Sequence, residues 1–270
     1  IKYYFDLYKR QMQGMALGAA QDNFSVEKML KVKFLIPTLQ TQQKIADILS
    51  AYDELIENNN RRIDILEKVS HGIYKEWFVH MRFPGYKKAT FKNGIPQDWM
   101  IKRLSQISDF TYGKMPDKGH LVNKGYPIFS GYQIVGYYDQ YMFDEEKLIV
   151  VARGVGGTGD VKFAPTKSFI TNLSIIFLLH DNALYKNYLY QMFKNSSLRY
   201  LDTGAAQSQI TIDNLKRVKI LVPPQFLLQE YNILSDRLRE QITYLENKNY
   251  NLIKQRDLLL PRLISGKIEV

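Results

Sequence analysis

The sequence contains no cysteine among its 270 residues. This absence excludes disulfide bonds, thiolate metal sites and cysteine nucleophiles, and it is typical of a reducing compartment. No apolar run approaches the ~18 residues that a membrane-spanning helix needs, and the chain, which starts at Ile1, shows no signal-peptide pattern. We therefore predict a cytoplasmic protein that does not associate with membranes.

The sequence also lacks the motifs of common catalytic sites. It has no G-x-x-x-x-G-K-[ST] phosphate loop, no H-E-x-x-H motif and no N-P-P-[YF] loop of an adenine methyltransferase. The few histidines are scattered, which speaks against a zinc site: His71, His80, His120 and His180. We therefore predict that the protein binds neither a metal nor a cofactor and that it is not an enzyme by itself.

What the chain does have is positive charge, with a formal net charge of +10 and a pI of about 9.4. Residues 71–97 carry 5 Lys and Arg against 1 Asp or Glu, and residues 98–222 carry 15 against 11. The flanking stretches 1–70 and 223–270 are each nearly neutral at +1. An excess concentrated in the middle of the chain predicts a polyanionic partner, nucleic acid first.

A repeat divides the chain. Residues 18–37 read GAAQDNFSVEKMLKVKFLIP, and residues 204–223, which lie 186 positions later, read GAAQSQITIDNLKRVKILVP. In the first copy, residues 32–36 form a short strand pattern, and each copy leads through proline into a long helical pattern. A repeat this far apart predicts two similar elements with one domain inserted between them.

Apolar residues at spacings of three and four predict a helix of ~37 residues from about Gln42 and a second long helix from near Phe226. Pro261 should bend or end the second helix. The sustained spacing, with Glu and Lys around it, favours a coiled coil. Antiparallel packing is the economical arrangement, because a compact domain separates the two helices. Each apolar stripe contains an asparagine, Asn59 or Asn249, which either sets the register of a buried seam or lies at the edge of the stripe.

Between the helices, β-branched and aromatic runs separated by turns predict a mainly-β domain. The predicted strands cover 126–130, 134–138, 147–152, 161–164 and 173–179, and a helix should follow over 186–201. The predicted fold class is therefore α+β, a mainly-β domain inserted between two long antiparallel coiled-coil helices.

The glycine-rich stretch 151–159, VARGVGGTG, is interpreted as a loop between two strands, because it lacks the Lys-Ser/Thr of a phosphate loop. Its backbone can approach a partner closely, although a plain flexible turn is the alternative. Arg153 can pair bidentately with guanine, and Gln133 can pair with adenine, although both residue types are also common on surfaces and turns. The candidate DNA-binding residues are Lys114, Ser130, Tyr132, Gln133, Arg153, Lys162, Lys167 and Asn172.

Four stretches carry a resemblance to a known family: residues 36–46 (IPTLQTQQKIA), 66–85 with YKEWF and RFPG, 95–99 (IPQDW) and 257–266 (DLLLPRLISG). With the repeat, they make the chain resemble the specificity (S) subunit of type I restriction-modification systems. The resemblance implies target recognition domains that each bind one half of a split site in double-stranded DNA. It also implies long helices that space the half-sites and dock adenine methyltransferase (M) subunits, with a motor-endonuclease (R) subunit joining through the complex.

Under this resemblance the chain divides into five segments: 1–37, the end of a first recognition domain; 38–83, the central conserved helix; 84–97, a basic linker; 98–224, a complete target recognition domain; and 225–270, the distal conserved helix. Because one complete recognition domain is visible, we expect the carboxyl-terminal portion of a subunit or a half-subunit that would form a homodimer. The alternatives are a coiled-coil protein-interaction adaptor without DNA binding and a specificity domain from another type of methylase.

Overall fold

The computed structural model of the chain describes residues 36–154, 157–202 and 209–270. The expected end of a first recognition domain and the strand pattern over 32–36 therefore lie, except for residues 36 and 37, outside the described residues. The chain forms two compact units, residues 36–68 with 239–270 and residues 69–238. The second unit thus contains the last turns of the first long helix and the first turns of the second.

The described residues form the following elements in chain order: α1 (Leu39–Tyr74), which continues as a π-helical turn (Lys75–Val79), β1 (Phe91–Lys92), β2 (Ile95–Pro96), β3 (Met100–Arg103), β4 (Ser108–Tyr112), β5 (Leu121–Val122), β6 (Tyr126–Phe129), β7 (Ile134–Tyr138), β8 (Lys147–Val151), β9 (Val161–Ala164), β10 (Phe169–Ile170), β11 (Ser174–Leu179), α2 (Asn182–Ser196), α3 (Ile212–Arg217), β12 (Lys219–Val222) and α4 (Gln225–Ile264). This content confirms the α+β fold class. No helix in these ranges is both long and apolar enough to cross a membrane.

In the first unit, residues 39–68 of α1 pair with residues 239–264 of α4. Ile45 and Leu49, near the start of α1, pack in a buried cluster with Leu260 and Leu263, near the end of α4. Further along α1, Asn59 contacts Asn249, which lies earlier in α4. As the residue number increases along α1, the residue number of the contact in α4 decreases. This confirms the antiparallel arrangement.

The sequence predicted that Pro261 would bend or end the second long helix, and the helix does not end there. Helix α4 continues through Pro261 to Ile264, and the Ser265 N–H donates to the Pro261 carbonyl at 3.1 Å. Proline removes one backbone donor, which alone would disfavour the helix. Leu260, Leu263 and Ile264 are all buried, and this packing holds the final turn.

Two four-stranded sheets form the inserted domain. One sheet is antiparallel, in the order β4-β11-β8-β9, and the other has the order β10-β6-β7-β5 with a parallel pair between β10 and β6. A two-stranded pair of β12 with β3 leads into α4, and β1 pairs with β2. The domain is thus mainly β, as the sequence predicted.

Continuous apolar runs place β8 and β11 at the centre of the domain. Successive strand residues point to opposite faces, so both faces of these strands are buried. Val150 and Phe177 belong to a large cluster that includes residues of α2, whereas Ile149 and Ile176 pack with Phe129 of the second sheet. The central sheet is therefore covered by helix on one face and by sheet on the other.

The predicted strands 134–138 and 161–164 agree with β7 and β9 residue for residue. The helix predicted over 186–201 is wrong at both ends. It begins earlier because the Asp181 carboxylate caps it, accepting from the Leu184 N–H at 2.9 Å. It ends at Ser196 because the next residue, Ser197, has a φ of 20°, and a short 3₁₀ turn follows.

Phe78, in the π-helical turn, lies at the centre of an aromatic cluster. Its ring is 4.9 Å from those of Tyr188 and Tyr231, in edge-to-face geometry, and 5.9 Å from that of Trp99. Burial raises the pKa of the Tyr188 hydroxyl, which donates to the Leu221 carbonyl. The cluster joins the end of α1, α2 and the start of α4 into one core.

Candidate nucleic-acid interface

One end of the central sheet collects the loops that contain most of the polar candidates. Strands β4 and β8 end there while β11 and β9 begin, as the pairings of Tyr112 with Ile175, of Val151 with Ser174 and of Val150 with Val161 show. We call this surface the loop edge, and it comprises residues 113–114, 130–133, 152–154, 157–160 and 171–174, with the adjacent start of β9.

Arg153 has an anchored backbone and an exposed side chain. Its N–H donates to the Leu173 carbonyl at 3.3 Å, and it forms a bridge with Gln209. Asn172 precedes Leu173, and the Ala152 N–H donates to the same carbonyl at 2.8 Å. Arg153 and Asn172 are therefore neighbours at the loop edge.

Lys114 joins the same edge from the other side. Its backbone N–H donates to the Ile170 carbonyl at 2.9 Å, it forms a bridge with Thr171, and its side chain is exposed. Because Thr171 directly precedes Asn172, the sheet register brings Lys114 close to the Arg153 segment. This placement is determined by β4 pairing with β11, which are more than 60 residues apart.

The turn 130–133 connects β6 to β7. The Ser130 N–H donates to the Gln133 carbonyl at 3.0 Å, which closes the turn, and Gln133 is exposed. A Cβ built on Gly131 would stand 3.2 Å from a methyl of Val151 and 3.5 Å from the Ser174 hydroxyl. The turn therefore lies against the end of β8 and the start of β11.

Tyr132 links this turn to the glycine-rich loop. Its hydroxyl donates to the Asp160 carboxylate at 3.0 Å, and Lys162 Nζ lies 5.3 Å from its ring centroid. Burial, and then the bond to Asp160, raise the pKa of Tyr132 to about 12. The hydroxyl thus has a partner within the protein.

Lys167 does not join the other seven candidates. Strand β9 runs from the loop edge at Val161 to Ala164, which pairs with Lys147 at the opposite end of β8. Lys167 follows in a turn where its N–H donates to the Phe143 carbonyl at 3.0 Å. Lys167 is a sequence candidate that follows the glycine-rich loop by a few residues, but it does not flank that loop, because β9 lies between them and carries the chain to the opposite end of β8.

The sequence interpretation missed Arg199 and Gln209. The Gly159 backbone has a φ of 94° and packs closely against the backbone of Arg199. A Cβ on Gly159 would stand 2.6 Å from the backbone nitrogen of Arg199. Arg199 is exposed, and Gln209 bridges Arg153. Gln209 lies two residues after the GAAQ of the repeat, a signal that could have marked it, whereas nothing in the local sequence marks Arg199.

The loop edge is polar, basic and partly unsatisfied. Exposed or half-buried cations from four segments lie there: Lys114, Arg153, Lys162 and Arg199. The buried hydroxyls of Thr171 and Ser174 lack a hydrogen-bond partner among the described residues. The same part of the chain contains no group of three acidic or histidine side chains that could hold a metal ion. Such a surface can bind phosphates through its cations and base edges through its arginine and amide side chains.

Comparisons with known proteins identify the family of the chain. The sequence profile of the type I restriction modification DNA specificity domain matches residues 1–68 and 96–255. The MjaIX specificity subunit of Methanocaldococcus jannaschii, a type I restriction enzyme subunit, is 27% identical over 303 residues, covering 100% of this chain and 69% of that protein. The MjaVIII specificity subunit of the same organism is 24% identical over 270 residues, covering 88% of this chain and 63% of that protein.

Among solved structures, the S subunit of a type I restriction-modification system from M. genitalium shares the fold, with a TM-score of 0.68 and 16% identity. That alignment covers 97% of this chain and 71% of the other. The chain thus spans about two thirds of the length of these relatives. Because the family profile covers most of its residues, the chain belongs to the family of type I restriction-modification DNA specificity domains.

Proposed function

We propose that this chain is the sequence-specific DNA-binding subunit of a type I restriction-modification complex and that residues 98–224 bind one half-site. The loop edge is the observation that carries this proposal, because it gathers hydrogen-bonding and cationic side chains from distant segments on one surface. The backbone is anchored at Arg153, so the segment that carries this side chain is positioned before DNA binds.

The chemistry of the loop edge divides into two roles. Lys114, Lys162 and Arg199 would contact phosphates, which supplies affinity that is independent of sequence and falls with salt. Arg153 and Gln133 would contact base edges in the major groove, where arginine pairs with guanine and glutamine with adenine. Phosphate contacts would thus position the domain, and base contacts would specify the sequence.

The helix pair would dock the methyltransferase (M) subunits. The pair leaves large apolar side chains exposed on both helices, including Ile65 of α1 and Tyr250 of α4, at 57% and 66% exposure. Exposed apolar stripes on paired helices favour further helices as partners. The chain itself would contribute no catalytic group, and the motor-endonuclease (R) subunit would join through the assembled complex in the cytoplasm.

If the chain acts as a half-subunit, a homodimer would supply the second recognition domain. Such a dimer would bind a split site whose halves are related by symmetry. A full-length subunit with two different recognition domains would bind an asymmetric site. The symmetry of the methylated motif therefore distinguishes the two arrangements.

Methylome sequencing of a host with and without this chain tests the proposal. We expect a bipartite adenine-methylated motif that depends on the chain. Duplexes with this motif should then bind in a salt-dependent manner and more tightly than scrambled duplexes. A chain-independent methylome, together with no salt-dependent duplex binding, would instead support the coiled-coil adaptor.

A further inference from the structure

Tyr132 is the side chain that connects two separate loops of the loop edge. It comes from the turn 130–133, and its hydroxyl donates to Asp160. Asp160 lies 28 residues after Tyr132 in the chain and directly follows the glycine-rich stretch 151–159. Gln133 lies next to Tyr132 on the turn, and Arg153 lies at the start of the glycine-rich loop. The bond therefore joins the segments that contain two proposed base-contacting residues.

Gly157, in the described part of the glycine-rich loop, leaves room for this ring. A Cβ on Gly157 would stand 1.5 Å from the Tyr132 hydroxyl oxygen and 2.3 Å from the ring carbon that carries it. Any residue other than glycine at this position would leave no room for the tyrosine ring, because every other residue has a Cβ. Lys162 on the neighbouring strand lies over the ring at 5.3 Å, which adds a cation–π contact.

Asp160 is an acidic side chain on a basic surface. A carboxylate beside bound DNA would repel phosphates, so its presence there requires another role. Its bond to the tyrosine hydroxyl supplies that role, because a hydrogen bond to a charged acceptor is stronger than one between neutral groups. The same bond occupies the only hydrogen that the hydroxyl could donate to a base.

We infer that Tyr132 is a positioning residue that, together with Asp160, holds the turn 130–133 and residues 157–160 in one arrangement for reading the half-site. This inference rests on the proposed function. It reassigns Tyr132 from direct DNA contact to the preorganisation of Gln133 and Arg153. Preorganised contacts cost less ordering on binding, and they discriminate more sharply between sequences.

A double-mutant cycle tests the inference. The variants are Tyr132→Phe, Asp160→Ala and their combination, each prepared as the full chain with its methyltransferase partner. Affinity is measured by fluorescence anisotropy for a duplex with the methylated motif and for a scrambled duplex. We expect each single substitution to lower the ratio of the two affinities about tenfold, and the double substitution to lower it no further.

The matched control is Tyr137→Phe on β7, because that exposed tyrosine hydroxyl has no hydrogen bond to the described part of the chain. It should leave the affinity ratio unchanged, and thermal unfolding of every variant shows whether stability changes as well. Multiplicative losses in the double variant, or a loss of stability at constant affinity ratio, would overturn the positioning role. A wild-type chain that fails to discriminate between the duplexes would instead overturn the proposed function.

Discussion

Asn59 of α1 and Asn249 of α4 form a buried amide pair across the helix seam. The Asn59 side-chain nitrogen donates to the Asn249 side-chain oxygen at 2.8 Å, and the Asn249 nitrogen donates to the Asn60 side chain at 2.8 Å. Asn59 is 3% exposed and Asn249 is 7% exposed. Of the two alternatives left by the sequence, the asparagines therefore lie in the buried seam and not at its edge.

Asn249→Leu should destabilise the helix pair by about 2 kcal/mol, because the Asn59 amide is left buried without its acceptor. The double substitution Asn59→Leu with Asn249→Leu should recover most of this loss, since two apolar side chains then pack together. Chemical denaturation measures both effects. Asn58→Leu, at an exposed neighbouring position, is the control that should change the free energy of unfolding little.

The recovered stability should come with a less specific helix alignment. A buried asparagine pair penalises shifted registers, because a shift would leave both amides unpaired. Spin labels on Asn58 and Tyr250, which are both exposed, should give one narrow distance in the wild-type chain and a broader distribution in the double variant. A distribution that stays narrow would contradict the register role.

Arg153→Ala should weaken binding to the methylated motif about 10–100-fold and weaken binding to scrambled DNA far less, because a bidentate base contact is worth about 1–3 kcal/mol. Lys167→Ala is the control, since Lys167 lies at the opposite end of β9. It should change neither affinity. Anisotropy titrations at fixed salt check both variants. An equal loss on the two duplexes would assign Arg153 to the phosphate contacts.

Gly157→Ala should displace the Tyr132 ring, because the new methyl would occupy the position of the hydroxyl. We expect a loss of roughly 1–3 kcal/mol in the free energy of unfolding and a lower affinity ratio. In a Tyr132→Ala background the same substitution should cost little, since the clash is gone. Gly136→Ala on β7 is the control, because its Cβ would meet an ordinary contact at 3.7 Å. Equal losses of stability in both backgrounds would contradict the close packing of the Tyr132 ring against Gly157.

The Glu76 carboxylate should titrate far below its usual range. Two hydrogen bonds from Arg82 at 2.7 Å, and then one with His80, lower the pKa of Glu76 from 4.5 to about 2. Because the pKa is lowered in the folded chain, the pairing contributes stability above about pH 4.5 and loses it as the pH falls towards 2. An NMR titration of the side-chain carboxyl measures this directly.

Arg82→Gln should raise the Glu76 pKa towards 4.5, because the strongest donor is lost. The stability difference between this variant and the wild type should be present at neutral pH and should disappear near pH 2. Arg62→Gln, an exposed substitution on α1, should leave the Glu76 titration unchanged. A Glu76 midpoint near 2 in the Arg82 variant would show that His80 alone holds the carboxylate.

Local pattern predicted the elements well where one physical signal dominated. Alternating and β-branched residues located β7 and β9 at their observed bounds, and three-four spacing located both long helices. It was less accurate at α2, where capping by Asp181 set the start and the backbone at Ser197 set the end. Each miss involves a side chain or a backbone conformation that periodicity does not contain.

At the loop edge, too, the sequence predicted some of the residues and tertiary contacts decided the others. Seven of the eight candidate residues occupy it, yet Lys167 does not, because a short distance along the chain says nothing about which end of a strand a residue reaches. Arg199 joins the edge from beyond α2, through close packing on Gly159. Sheet register and loop packing decide these meetings, and neither can be read from residue types alone.

The sequence by itself determined the repeat, the paired helices, the mainly-β insert and the basic charge, because these depend on composition and on residues close together in the chain. Only the tertiary structure decided that Asn59 meets Asn249, that Tyr132 reaches Asp160, and that Lys167 lies apart from Arg153. Those outcomes depend on strand register and on helix alignment, which bring together the two contacting pairs across 28 and 190 residues of chain.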